Sequence, residues 1–190
     1  EKTKNFLDSL SLLTPIEFDL GEIGKPLLLK WGKCKLATVS FGHGISTTPL
    51  QVATAYAIIS NGGYKIKPTL LKKEKNVKTK KILNEGVSIS INSILRKVVS
   101  TKEGTANLAN VEGYNVGGKT GTAQKIENGI YTKKKINTFV SIFPIHKPKY
   151  VLLVLLDEPK TNSEYVYNYR DGSGIKYRGT PFNTAGWTTV

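Results

Sequence analysis

The 190-residue sequence is poor in the residue types that build metal centres and covalent staples. It holds one cysteine, Cys34, so an internal disulfide and a zinc-finger ligand set are both excluded. With only His43 and His146, a His-rich metal site or a Ser-His-Asp triad would have to use one of these two. No run approaches the ~18 apolar residues of a membrane helix; the longest, Tyr150 to Leu156, suits a buried strand. Glu1 to Lys4 are charged and lead into no apolar stretch, which predicts no signal peptide. Arginine is scarce too. Only Arg96, Arg170 and Arg178 stand among 28 basic residues, whereas base readout and bidentate phosphate recognition favour arginine.

What is present is the make-up of one globular domain, 39% hydrophobic and 22% charged, long enough to bury a core without staples. Net charge is +14, which raises nucleic acid, an anionic membrane surface or an acidic polymer as partners. The lysines crowd into Lys65 to Lys81 and Lys133 to Lys135, loop-like stretches without the interleaved aromatics of single-strand binders. They read as a solvated surface, with adhesion to a polyanion as the alternative. The abrupt start, and an end at Gly186-Trp187-Thr188-Thr189-Val190, read as a piece of a longer polypeptide.

Along the chain, Lys4 to Leu13 is expected to form a short helix, and Ile16 to Leu20 an extended piece. A loop follows, with an apolar patch at Leu27 to Leu29. Thr48-Pro49 and Asn61-Gly62 bracket the strongest local signal: an N-cap, a proline at the first helical position and a left-handed exit. This predicts a buried helix with Leu50, Ala53, Ala57 and Ile58 on one face. Lys65 to Gly86 reads as a surface hairpin or excursion. A second helix is predicted from Ser90, its N-cap, to Ser100, with Ile91, Ile94, Leu95 and Val98 inward and Gly104 as its C-terminal glycine. Beyond Gly113 the period becomes that of strands: Tyr114 to Lys125, Thr138 to Phe143, and Tyr150 to Leu156, the last apolar on both faces as in the middle of a covered sheet. Asn128-Gly129 and Pro144 to Pro148 supply the turns. Helices, an antiparallel sheet and a final helix near Thr184 to Trp187 make an α+β sandwich.

The chemistry-bearing segment is Gly117-Gly118-Lys119-Thr120-Gly121-Thr122-Ala123-Gln124. Gly113 to Thr120 formally matches a P-loop, but that motif needs a helix beginning at its lysine, and the residues after Lys119 oppose one. Lys-Thr-Gly on an edge strand is instead the third motif of penicillin-recognising serine acyltransferases. On a strand, Lys119 and Gly121 point one way, while Thr120 and Thr122 point the other, toward a cleft. Gly121 leaves the backbone open to a ligand, the hydroxyls can hold a carboxylate, and the Thr122 amide can donate to an oxyanion. Lys119 adds positive charge. An ordinary glycine-bearing strand is the plain alternative.

The block Ser40 to Ala57 with Asn61-Gly62-Gly63 resembles the segment before the third motif in class B penicillin-binding proteins. Val98-Val99, Gly104-Thr105-Ala106 and Gly117 to Lys125 follow in that family's order, and Thr184 to Trp187 resembles the start of its last helix. The likeness runs from about Phe6 through almost the whole chain, and is nearest to the septal, cell-division type. It implies an α+β fold, an antiparallel sheet flanked by helices, of penicillin-binding protein/serine β-lactamase type and incomplete. Residues 1–190 would be a partial transpeptidase domain lacking its N-terminal portion and its last helix. It further implies peptidoglycan stem peptide as substrate, β-lactams as covalent inhibitors, division-complex proteins as partners, and no cofactor or metal. The expected location is the periplasmic face of the inner membrane, through an anchor not in this chain. Lys119, Thr120, Gly121 and Thr122 are the implied substrate-binding residues, with the Thr122 main chain as oxyanion donor.

The family's Ser-x-x-Lys nucleophile and Ser-x-Asn motifs are absent in the expected order. Ser173-Gly174-Ile175-Lys176 has the first spelling but follows the Lys-Thr-Gly strand in a glycine-rich loop; Ser90-Ile91-Asn92 has the second but opens a helix. No catalytic residue is therefore assigned, and the chain is expected to be inactive alone and marginally stable. His43, between two glycines, reads as a turn residue. Cys34 reads as a bystander thiol, and Tyr165, Tyr167, Tyr169 and Tyr177 as surface or interface aromatics. Two rival functions stay open: a non-catalytic interaction module on the same fold, and a basic nucleic-acid-binding protein. No nucleic-acid partner is expected on the leading reading.

Overall fold

A computed structural model describes residues 1–21, 23–28, 31, 35–72, 79–160, 164, 166–168, 176–178 and 185–190. In chain order the elements are α1 (Lys2–Ser9), β1 (Leu27–Leu28), α2 (Lys35–Ser40), β2 (Ile45–Ser46), α3 (Pro49–Ser60) and α4 (Glu85–Ser100). Then come β3 (Gly117–Glu127), β4 (Ile130–Phe143), β5 (Tyr150–Asp157), β6 (Val166–Asn168), β7 (Lys176–Arg178) and α5 (Ala185–Thr188). The residues group into two compact units, Glu1–Ile94 with Ile142–Leu152, and Leu95–Ser141 with Leu153–Val190.

The first unit is organised by α3. Thr48 Oγ1 accepts from the Gln51 N–H and Gln51 Oε1 accepts from the Thr48 N–H, a reciprocal cap, with Pro49 at the first helical position. Gly62 and Gly63, at φ of +91° and +88°, take the chain out. A side chain at Gly63 would collide with the Leu83 carbonyl, so glycine is needed for space as well as for φ. The helix is buried as expected, but its inward residues are Gln51, Thr54, Ala55, Ile58 and Ser60; of the four apolar positions expected there, only Ile58 is fully buried. Gln51 tolerates this because its amide also donates to Ser11 O and Thr14 O at 2.9 and 2.8 Å, tying α3 to the segment after α1. Leu10, Ala55 and Ile58 form the core there, with Leu12, Ile59, Ile66 and Ile82 packed around it.

Helix α4 begins five residues before the expected Ser90. Asn84 Oδ1 accepts from the Gly86 N–H, and Ser90 lies in the helix interior, its hydroxyl donating to Gly86 O. The early turn was invisible to an apolar period because its contacts are polar. Ser88 donates to Ile59 O and accepts from the Gly62 N–H, while Asn92 Nδ2 donates to Ser60 O at 3.1 Å, so α4 closes the C-terminal end of α3. Ile94, expected inward, is 60% exposed; Leu95 and Val99 are buried. The predicted excursion after α3 is closed by a Tyr64–Lys81 bridge, with the Lys81 ammonium 5.1 Å from the Tyr64 ring centre.

In the second unit, α4 ends against the Gly104 loop. The Ala106 N–H donates to Val98 O, and a side chain at Gly104 would strike that same carbonyl. Gly104 is thus required by close approach rather than by a left-handed exit. The sheet is antiparallel, in the order β3-β4-β5. Asn128 and Gly129, both at positive φ (52° and 79°), form the two-residue β3–β4 turn whose twist suits the flanking strands. The strand expected in the middle, Tyr150 to Leu156, is instead an edge strand of the described sheet, and Tyr150, Leu152, Leu155 and Leu156 are exposed. Two apolar faces mark a strand that tolerates cover on both sides; they say nothing about which strands lie beside it.

Candidate substrate-binding strand

Gly117 to Glu127 is continuous strand, so no helix starts at Lys119 and the formal P-loop match fails. Val116, just before β3, and Gly117 and Gly118 at its entry are buried, Lys119 is exposed, and Thr120 and Gly121 are half-buried. Arg96, from the last turns of α4, anchors this entry: Nη1 donates to Val116 O at 2.6 Å and Nη2 to Asn110 Oδ1 at 3.0 Å. Lys119 Nζ donates to the Thr120 carbonyl at 2.7 Å.

Two of the three glycines of β3, Gly118 and Gly121, are explained from inside the sheet. A Cβ at Gly118 would sit 2.8 Å from the Phe139 ring and 2.5 Å from Val140 O. At Gly121 it would lie 2.6 Å from Thr138 Oγ1, a hydroxyl that donates to Gly121 O. Gly121 therefore makes room for its β4 neighbour, besides leaving bare backbone. Strand alternation directs Thr120 and Thr122 to the opposite face from Gly121. Thr120 Oγ1 lies 3.0 Å from Thr105 Oγ1, and Thr122 Oγ1 accepts from the Ala185 N–H at 3.0 Å. So the four motif residues are together on one edge strand, with two hydroxyls on one face, each met by a group from another part of the chain.

The far end of the hairpin carries charge. Lys125 pairs with Asp157 and Glu158, each at 2.8 Å, and Lys134 with Glu127 at 2.8 Å. Asp157 and Glu158 push the Lys125 ammonium up to about 12, and Lys125 holds the Glu158 carboxyl below its ordinary range.

The model of the penicillin binding protein transpeptidase domain matches residues 2–173. The chain belongs to that family. A probable peptidoglycan D,D-transpeptidase FtsI of Caulobacter vibrioides is 33% identical over 174 residues, covering 86% of this chain and 30% of that protein. Stage V sporulation protein D of Bacillus subtilis is 36% identical over 147 residues, 70% of this chain and 22% of that protein. The transpeptidase domain of Burkholderia pseudomallei penicillin-binding protein 3 superposes with a TM-score of 0.77 at 29% identity, covering 83% of this chain and 49% of that one. Penicillin-binding protein 3 of Mycobacterium tuberculosis, solved with aztreonam, gives 0.74 at 26%, covering 82% and 40%. The fold is accordingly that of penicillin-binding transpeptidases, in the class B branch, and the chain spans less than half the length of each of these relatives.

Other candidate residues fall elsewhere. Ser90 and Asn92 are spent on helix contacts to Gly86 and Ser60. Ser173, Gly174, Ile175 and Cys34 lie outside the described residues, as do Tyr165 and Tyr169. His43 sits in a turn between Gly42 and Gly44, both at positive φ, its N–H donating to Thr38 O and its ring tilted against Phe41. Among the described residues no cluster of His, Cys, Asp or Glu could hold a metal ion, and no helix is long and apolar enough to cross a membrane. Residue patterns alone did not identify Thr105, Thr138, Arg96 or the Ala185 N–H as neighbours of the motif, because each arrives from a distant segment.

Proposed function

We propose that β3 is the substrate-gripping strand of a peptidoglycan D,D-transpeptidase of the septal type, and that residues 1–190 are the C-terminal part of its transpeptidase domain. The observation that supports this is the pair of hydroxyls, Thr120 and Thr122, on one face of an edge strand, separated by a glycine. A D-alanyl carboxylate accepts hydrogen bonds only, and two hydroxyls with Lys119 beside them offer donors and positive charge. An edge strand also turns alternate main-chain N–H groups away from its partner; the Thr122 N–H is the assigned donor to the oxyanion of the attacked carbonyl. Stem peptides ending in D-alanine and β-lactams share that carboxylate and an adjacent acyl group, so one strand serves both.

Gripping is not acylation. The serine that would attack is not assigned to any residue of this chain, so the 190 residues bind and orient but form no acyl-enzyme. Neither step asks for a cofactor. Residence at the periplasmic face of the inner membrane, with division proteins as partners, belongs to the same reading.

A fluorescent penicillin tests it. Incubated with the 190-residue chain, it is expected to leave no label that survives denaturing electrophoresis, while a D-alanyl-D-alanine peptide binds reversibly and loses affinity about tenfold in the Thr120→Val, Thr122→Val double variant. Covalent labelling abolished by Ser173→Ala would overturn the assignment of no nucleophile. Unchanged peptide affinity in the double variant would overturn the grip.

A further inference from the structure

A hydroxyl has one proton and two lone pairs, so it cannot donate to a carboxylate while its proton is given to the scaffold. At Thr122 the matter is decided: its partner is the main-chain N–H of Ala185, which can only donate, so Thr122 accepts there and keeps its proton for the ligand. Thr120 differs. Its partner is another hydroxyl, Thr105 Oγ1 at 3.0 Å, and either atom can be the donor. If Thr120 donates, it turns a lone pair toward the substrate carboxylate and repels it. If Thr105 donates, Thr120 has its own proton free for the anion, and accepting one hydrogen bond strengthens the one it gives.

Thr105 follows α4, in the short loop where the Ala106 N–H is bonded to Val98 O and the Gly104 N–H to Thr101 O. Asn107, just beyond, donates to Lys102 O. Its hydroxyl is therefore offered to Thr120 from a loop whose neighbouring backbone groups are already tied to the end of the helix.

We propose that Thr105 is a positioning residue for substrate recognition. It donates its proton to Thr120 Oγ1 and so commits Thr120 as a donor to the substrate carboxylate, matching what Ala185 does for Thr122. This rests on the reading of β3 as the carboxylate grip. Thr105 touches no substrate atom and acts only through Thr120.

The test compares two probes, diacetyl-L-lysyl-D-alanyl-D-alanine and its C-terminal carboxamide, titrated against the intact protein by NMR. The unaltered protein is expected to bind the acid about tenfold more tightly than the amide, the scale of a hydrogen bond to a charged group. Thr105→Val removes the donor and the competing acceptor together, so Thr120 keeps its proton but loses the bond that orients and polarises its hydroxyl; the preference should fall from about tenfold to about threefold, while affinity for the amide stays within about twofold. Thr105→Ser restores the hydroxyl and should restore the preference. A Thr105→Val protein that still prefers the acid about tenfold overturns this inference and leaves the grip standing. Equal binding of acid and amide by the unaltered protein overturns the grip and this inference with it. Loss of amide binding in Thr105→Val, not recovered by serine, would make Thr105 a folding residue and also overturn the proposal.

Discussion

β3 and β5 both border β4, and they treat the edge of a sheet in opposite ways. β3 carries Gly-Gly-Lys-Thr-Gly-Thr: two glycines demanded by Phe139, Val140 and Thr138, and threonines whose hydroxyls are engaged from outside the strand. β5 carries Tyr-Val-Leu-Leu-Val-Leu-Leu and leaves Tyr150 61% and Leu152 51% exposed. A polar, glycine-bearing edge offers another strand little apolar surface to pair with. An exposed apolar edge is the kind that pairs with whatever strand is near. One sheet thus has a polar edge and an apolar one, told apart by the residue types along each strand rather than by strand continuity.

The sharpest way to break this contrast is at Gly118. Gly118→Ala forces a methyl against the Val140 carbonyl and the Phe139 ring, neither of which can swing away cheaply, and is expected to cost about 2–3 kcal/mol in urea unfolding. A cost below about 0.5 kcal/mol would mean that β3 is not packed as described. Gly121→Ala meets only the hydroxyl of Thr138, which can rotate, so about 1 kcal/mol is expected. Adding Thr138→Ala should return most of it in a double-mutant cycle, and strict additivity would refute the crowding. On the other edge, Leu152→Thr with Leu156→Lys should move stability by no more than about 0.5 kcal/mol, yet lower self-association in sedimentation. Unchanged association would remove the adhesive character from β5.

The smallest effect lies where the two edges meet in charge. Glu158 is held low by Lys125, so its contribution to stability is present above its ordinary value of 4.5 and is lost as the pH falls through its lower folded value. Lys125 is raised to about 12, so its contribution is full below its ordinary 10.5 and is lost as the pH rises through about 12. These groups are open to solvent, which keeps the effect small. Glu158→Gln should flatten the acid limb of a melting-temperature profile while leaving the midpoint near neutrality little changed. An acid limb as steep as before would place the loss elsewhere.

Much of this was legible where the signal is local. Thr48 and Pro49 announce the start of α3 from adjacent positions, and Asn128-Gly129 makes its turn from two backbone dihedrals; the reciprocal bond from Gln51 was added by the structure. Lys119 to Thr122 could be singled out because they spell the Lys-Thr-Gly motif of the family the chain resembles, and strand alternation then assigns their faces. The start of α4 was not legible, since Ser88 and Asn92 are inward for the sake of α3 carbonyls, a reason absent from an apolar pattern. Nor was the reason for Gly121, which lies seventeen residues away at Thr138.

The sequence by itself determined the caps, turns and strand alternation, and with them a motif whose hydroxyls share one face. It determined them because each depends on dihedrals and side chains a few residues apart. Only the tertiary structure decided which strand is an edge, which glycines are sterically required, and that Thr120 meets Thr105 while Thr122 meets Ala185. Those are matters of closure between distant segments, where the direction of a single hydroxyl proton depends on what the fold brings within 3.0 Å.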